Sequence, residues 1–263
     1  KKRLYIQEVA TRDGFQNEAT YVETDAKIAL VNQLSECGYA KIEVTSFTSP
    51  RAIPALRDAE AVMHQIIRKS GVIYTVLVPN LRGAERALSC NVDEINLVMS
   101  VSESHNRTNL RMTREESFMQ LKEVITLAKQ TPVAINVSLS AAMGCPMEGD
   151  VPIKTVLDWA ARFVDLGIDG VTLCDTTGMA YPSQVAKLSY AVRTCFPQLE
   201  LTQHFHNTRG LAAANVLAAV YAGIDRFDAS LGGLGGCPYA PGATGNVCTE
   251  ELVHLLELQG YDT

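Results

Sequence analysis

The chain holds 263 residues, of which 47% are hydrophobic and 20% charged, and carries a formal net charge of −6. That length suits one large domain or two ordinary ones, and the apolar share supplies a sizeable core, which excludes general disorder. The negative balance, with no basic stripe and no Lys/Arg run, excludes a nucleic-acid binder; an anionic ligand would have to be held by local arginines and helix N-termini.

In chain order, β-rich runs are predicted at 4–9, 41–47, 73–78, 94–101, 134–140, 170–175, 200–206 and 226–231. Helical runs between them include 25–37, 114–129, 153–166, 182–196 and 211–222, three of which end in a glycine stop at Gly38, Gly167 or Gly223. Most strands are rich in Val, Ile, Leu and Thr, as expected of parallel strands covered on both faces. Eight β-then-α units in this length predict a closed (β/α)8 TIM barrel of the α/β class, one catalytic domain over 1–263. The rival, an open doubly wound sheet, usually has a glycine-rich turn after its first strand, where this chain has Thr11-Arg12-Asp13-Gly14.

Nothing resembling a linker or a low-complexity tract marks a second domain. The chain starts at Lys1 and stops soon after a helical run. Trimmed ends are therefore expected, the C-terminal one in particular, and any transit peptide would be missing with them. The longest apolar runs are strand-length, below the ~18 residues a membrane helix needs, so no membrane partner is expected. Seven cysteines (37, 90, 145, 174, 195, 237 and 248) are scattered without metal-finger spacing, which points to a reducing compartment. The cytoplasm is the expected location, and a mitochondrial origin is compatible with it.

In such a barrel the active site is built at the C-terminal ends of the strands. The unusual polar residues fall there: Arg12-Asp13-Gly14 after the first strand, Glu43 and Thr45-Ser46 on the second, and Ser102 to Arg107 after the fourth. Asp175-Thr176-Thr177-Gly178 ends the sixth, and His204-Phe205-His206-Asn207 ends the seventh. The eighth opens into a loop, Ser230 to Asn246, with six glycines, two prolines and the single cysteine Cys237. Packing alone does not explain so many strands delivering titratable groups to one rim.

Residues two apart on a strand share a face, so His204 and His206 can reach one metal ion. Asp13 offers a carboxylate oxygen and Asn246 an amide oxygen. Two nitrogens, two oxygens and open positions suit Mg2+ or Mn2+ better than a closed structural zinc site. Arg12 can neutralise a carbonyl oxygen that becomes an enolate, or simply pair with Glu43 or Asp175. Asp175 can orient Arg12 or a histidine, or transfer a proton. Cys237 suits a general acid or base whose pKa is lowered by cations, with covalent catalysis the weaker alternative.

These motifs carry a resemblance. Arg12-Asp13-Gly14-Phe15-Gln16-Asn17-Glu18, Ile42-Glu43-Val44-Thr45-Ser46-Phe47, Asp175-Thr176-Thr177-Gly178, His204-Phe205-His206 and Gly232-Gly233-Leu234-Gly235-Gly236-Cys237-Pro238-Tyr239 resemble the 3-hydroxy-3-methylglutaryl-CoA lyase family of metal-dependent barrel lyases. The cysteine loop is specific to that branch. The resemblance implies retro-Claisen cleavage of a branched 3-hydroxyacyl-CoA to acetyl-CoA and a keto acid, acetoacetate for the usual substrate. It implies that Asp13, His204, His206 and Asn246 bind the divalent cation, and that Arg12 holds the acyl-CoA carbonyl. Cys237 becomes the catalytic thiol on a mobile loop; His204, Glu43 and Asp175 join it and Arg12 as candidate catalytic positions.

Asn106, Arg107 and Arg111 are candidates for the CoA phosphates. Phe15, Met147 and Asn207 depart from the family's common residues and would reshape an acyl pocket. The alternative reading is an aldolase or Claisen condensing enzyme of the same superfamily acting on a 2-oxo acid. Acyl-CoA is the expected partner, and self-association into a homo-oligomer is compatible.

Overall fold

The computed structural model describes residues 1–236 and 245–263. Eight parallel strands close in sequence order: β1 (Tyr5–Glu8), β2 (Lys41–Ser46), β3 (Ile73–Leu77), β4 (Glu94–Ser100), β5 (Ala134–Ser140), β6 (Gly170–Asp175), β7 (Glu200–Phe205) and β8 (Arg226–Ala229). The last strand returns to the first, with Tyr5 opposite Arg226 and Glu8 opposite Ala229. This is the predicted (β/α)8 barrel, and every predicted strand lies within three residues of the observed one at either end.

The surrounding helices are α1 (Thr24–Ser35), α2 (Ala59–Gln65), α3 (Leu81–Leu88), α4 (Glu103–Leu110), α5 (Arg114–Ala128), α6 (Ile153–Asp165), α7 (Pro182–Cys195), α8 (Ala212–Tyr221) and α9 (Thr249–Leu258). Local chemistry sets several of their starts. The Thr113 hydroxyl accepts from Glu116 N at 3.0 Å while the Glu116 carboxylate accepts from Thr113 N at 2.7 Å, a capping box that begins α5. Ser102 caps α4 through its hydroxyl alone, accepting from His105 N at 3.2 Å. That helix covers a stretch whose polar composition reads as loop.

The strands are two-faced, which an apolar-rich composition does not show. On β4, Ile95, Leu97 and Met99 are wholly buried against the helices, while Glu94, Asn96 and Val98 turn into the barrel. The period of two repeats on β5, where Asn136 and Ser138 alternate with Ile135, Val137 and Leu139. The main hydrophobic core thus lies between sheet and helices, and the barrel interior is polar. Buried polar groups are tolerated when paired, and several in the barrel are. Lys41 Nζ donates to Glu94 at 2.7 Å and to Glu200 at 2.9 Å across the floor of the barrel. Glu8, fully buried, accepts from Ala10 N at 3.1 Å, Leu231 N at 2.7 Å and Thr249 Oγ1 at 2.7 Å. One carboxylate therefore ties β1 to the segments on either side of the cysteine loop.

Candidate metal centre and active site

The chain leaves β1 in a single wide turn, Ala10–Gly14, in which Asp13 N and Gly14 N both donate to Val9 O, at 2.7 and 3.3 Å. Such π-type turns are rare and cluster at functional sites. This one places Arg12 and Asp13 at the C-terminal mouth. Arg12 Nε donates to Glu43 Oε2 at 2.7 Å, and its Nη1 to Asp13 Oδ1 at 2.9 Å. Gln16 Nε2 adds a further donor to Asp13 Oδ1 at 2.9 Å. The register of β2 against β3 slips between Glu43 and Thr45, a bulge of the kind that re-aims side chains beside active sites.

His204 lies on β7 and His206 immediately after it, with their ring centroids 5.1 Å apart. His204 Nδ1 lies 2.9 Å from Asp228 Oδ2, and its Nε2 lies 3.7 Å from Asp13 Oδ2. His206 Nδ1 lies 3.0 Å from the Asp175 carbonyl oxygen. A carbonyl only accepts, so that Nδ1 carries the proton and Nε2 keeps its lone pair. One ligand atom from each of Asp13, His204 and His206 lies within 4.8 Å of the others, and all three residues are buried. Asn246 pairs with His206 through an isolated bridge and donates from Nδ2 to Asp13 Oδ2 at 2.8 Å and to Leu234 O at 3.0 Å. Its Oδ1 is buried with no hydrogen-bond partner among the described residues. A buried, unpartnered amide oxygen beside two imidazoles and a carboxylate is a donor set that fits a hard divalent cation.

Burial and mutual charge set the protonation of the group. Burial opposes charge on Arg12, but Glu43 and Asp13 outweigh it and raise its pKa, so the guanidinium is permanently charged. Burial would raise the Asp13 carboxyl; Arg12, His204 and His206 overcome it and hold it at about 2. His206 is lowered to about 4 by burial and by His204, which keeps it neutral at physiological pH. His204 is raised: burial pulls it down, and Asp228 and Asp13 more than offset that. Asp175 is pushed up to about 6 by burial, against backbone donors from Ala180 and Met179.

Most predicted positions converge; some do not. Asp175 does not orient Arg12: its Oδ1 accepts from Met179 N at 2.8 Å and Ala180 N at 3.1 Å, and its carbonyl oxygen sits against His206 Nδ1. Asn106 is no phosphate ligand. It is fully buried, donating to Met112 O, Thr113 O and Ser117 Oγ while accepting from Ser100 N. Its role is to fasten α4 to the start of α5. Arg107 pairs with Glu103 at 2.8 Å on the outside of α4.

The cavity at the mouth, about 460 Å3, meets α4 instead through His105, Asn109 and Leu110. Phe15, Met147 and Asn207 do not line it; Leu77, Val98, Ser138, Ser140, Cys174 and Thr176 do. Asp228 was not predicted, although it faces inward on β8 directly opposite His204 in the register. Gln16 was quoted only within a motif. Cys237 lies outside the described residues; its neighbour Gly236 lines the cavity.

A family model described as HMGL-like matches residues 3–263. The chain belongs to the HMGL-like family. It is 46% identical to hydroxymethylglutaryl-CoA lyase YngG of Bacillus subtilis over 262 residues, all of this chain and 88% of that one. It is 40% identical to the human cytoplasmic 3-hydroxy-3-methylglutaryl-CoA lyase, over 98% of this chain and 70% of that one. Among solved structures, an HMG-CoA lyase from Acinetobacter baumannii in complex with coenzyme A and 3-methylmalate superposes with a TM-score of 0.93 at 49% identity, over 98% of this chain and 84% of that one. The B. subtilis HMG-CoA lyase superposes with a TM-score of 0.96 at 45% identity, over all of this chain and 88% of that one. The carboxyl transferase domain of Rhizobium etli pyruvate carboxylase, at 18% identity and a TM-score of 0.72 over 97% of this chain and 43% of that one, shares the barrel fold.

Proposed function

We propose that this HMGL-like chain is a carbon–carbon lyase that cleaves 3-hydroxy-3-methylglutaryl-CoA, or a close branched 3-hydroxyacyl-CoA, with Mg2+ or Mn2+ as its cofactor. The observation that carries the reading is the buried group of Asp13, His204, His206 and Asn246 next to a permanently charged Arg12 in one cavity. Full-length likeness to curated lyases supports the choice of substrate.

Those four residues would hold the cation, which when bound would lower the cost of passing the C3 hydroxyl proton to a base, for which the Cys237 thiolate is the proposed acceptor. As the C2–C3 bond breaks, its electron pair passes to C2, the C3 carbon becomes a ketone, and the thioester becomes an enolate. Arg12 is placed to stabilise that enolate oxygen, because Glu43 and Asp13 already fix its orientation and no reorganisation is required during the reaction. Protonation at C2 then gives acetyl-CoA. Cys237 is the proposed donor, from the loop whose flanks Glu8 anchors. Apolar walls from Leu77, Val98 and Leu110 keep water from the enolate.

Purified protein stripped with a chelator and given 3-hydroxy-3-methylglutaryl-CoA should be inactive. With Mg2+ or Mn2+ restored it should release acetyl-CoA and acetoacetate in equal amounts. Failure to cleave this and related branched acyl-CoAs, together with turnover of 2-oxo acids, would establish the aldolase alternative. No helix among the described residues is long and apolar enough to cross a membrane. An acyl-CoA partner, a cytoplasmic site of action and self-association complete the proposal.

A further inference from the structure

Glu43 has two carboxylate oxygens and two partners. Oε2 accepts from Arg12 Nε at 2.7 Å, and Oε1 accepts from Asn96 Nδ2 at 2.9 Å. Asn96 is fixed in turn. Its Oδ1 accepts from Asn136 Nδ2 and from Ser138 Oγ, each at 2.9 Å, and Asn136 Nδ2 also donates to Thr172 Oγ1 at 2.9 Å. All of these side chains are buried inside the barrel, and Asn96 and Ser138 form part of the cavity wall. The amide of Asn96 has one workable orientation. Flipped, it would set oxygen against the Glu43 carboxylate and NH2 against the NH2 of Asn136.

The consequence falls on Arg12. The side-on fork of a guanidinium is Nε with Nη2, and a carboxylate with both oxygens available takes both. Here Oε1 is already committed to Asn96, so Glu43 holds Arg12 through Nε alone. Asp13 and Gln16 use Nη1, and among the described residues Nη2 has no hydrogen bond and is left for a ligand.

We propose that Asn96 is a positioning residue: by occupying Glu43 Oε1 it prevents the bidentate Glu43–Arg12 pair that would turn Arg12 away from the substrate oxygen. Asn96 does not touch the reacting atoms, and its effect is transmitted wholly through Glu43. This rests on the reading of Arg12 as the group that meets the thioester oxygen.

Two variants test it. Asn96→Asp keeps the shape and the acceptor for Asn136 and Ser138 but removes the donor to Glu43; Asn96→Leu removes both. Each should lower kcat about ten-fold, with KM and the Mn2+ dissociation constant changed less than about three-fold. In a Glu43→Gln background neither should lower kcat further, because the route from Asn96 to Arg12 is already cut. The Arg12 Nε–H resonance of 15N-labelled, substrate-free protein should shift in both variants.

A folded Asn96→Asp protein with wild-type kcat would overturn the proposal, as would a full second loss on top of Glu43→Gln or an unmoved Arg12 resonance. Should Asn96→Leu fail to fold, Asn96→Asp decides. If the wild-type protein cleaves no branched acyl-CoA, the lyase reading fails, and the resonance still reports whether Asn96 sets Arg12.

Discussion

Replacing Asp228 by Asn tests how the centre holds a cation. Asp228 Oδ2 sits 2.9 Å from His204 Nδ1, so it fixes the proton on that nitrogen and turns the Nε2 lone pair toward Asp13. It also sets the charge of the group. Arg12 is one positive charge among the carboxylates of Asp13, Glu43 and Asp228, so with neutral imidazoles the cluster is two charges negative and a divalent ion neutralises it. Asparagine preserves the shape but removes one of those charges and can stabilise the wrong tautomer. Loss of a carboxylate partner to a metal-bound histidine typically costs 10–100-fold in affinity, about 1.4–2.7 kcal/mol. Isothermal titration of chelator-stripped protein with MnCl2 should show that loss in Asp228→Asn, with unchanged circular dichroism. A dissociation constant within about three-fold of wild type would refute the argument that Asp228 sets the tautomer and the charge.

The remaining predictions concern stability and the thiol. Lys27 and Asp58 form a buried pair at 2.8 Å, with Thr24 and Tyr21 also donating to Asp58. Burial opposes charge on Asp58, and the bonds from Lys27, Thr24 and Tyr21 outweigh it, so its pKa is lowered. A lowered folded pKa contributes stability above the unfolded value of ~4 and loses it as pH falls through the folded one. Asp58→Asn, which strands the Lys27 charge, should cost about 3 kcal/mol in urea melts near neutral pH and much less in acid. Gly178 has φ +70°, and an added Cβ would lie 2.5 Å from Thr208 Cβ, so Gly178→Ala should cost at least ~2 kcal/mol in thermal melts. Cys237→Ser should cut turnover sharply while Mn2+ titrates as in wild type, since the ligands described above do not include it; normal turnover would remove the thiol from the mechanism.

The barrel was legible because its signals are local: alternating runs, glycine stops and strand-length apolar stretches. The proposed metal ligands were legible for a related reason. His204 and His206 are two apart at the end of one strand, and Asp13 lies in the turn after another, so spacing and position carried the inference without knowledge of packing. What escaped was contact across the barrel. Asp228 sits on a short strand, Arg226–Ala229, and only the pairing of β7 with β8 shows that it meets His204. Asn106 misled because a polar residue after a strand resembles a rim ligand; its burial depends on how α4 folds back on α5. The polar floor built by Asn96, Asn136 and Lys41 was equally hidden, since composition averages the two faces of a strand.

The closure of β8 on β1 bears on how the molecule assembles. Asp13 comes from the first strand, and His204, His206 and Asn246 from the last part of the chain, so no early fragment contains the site. Long-range pairing of this kind slows folding, because loop closure must be met before the contact forms. The ligands come together across the seam where the two ends of the chain meet, and Glu8 stitches the same seam. A cation bound there joins the termini as a clasp would. On the proposed ligand set, cation affinity would gauge completed folding: a chain still open at the seam would present half a site, and added metal would favour the closed form.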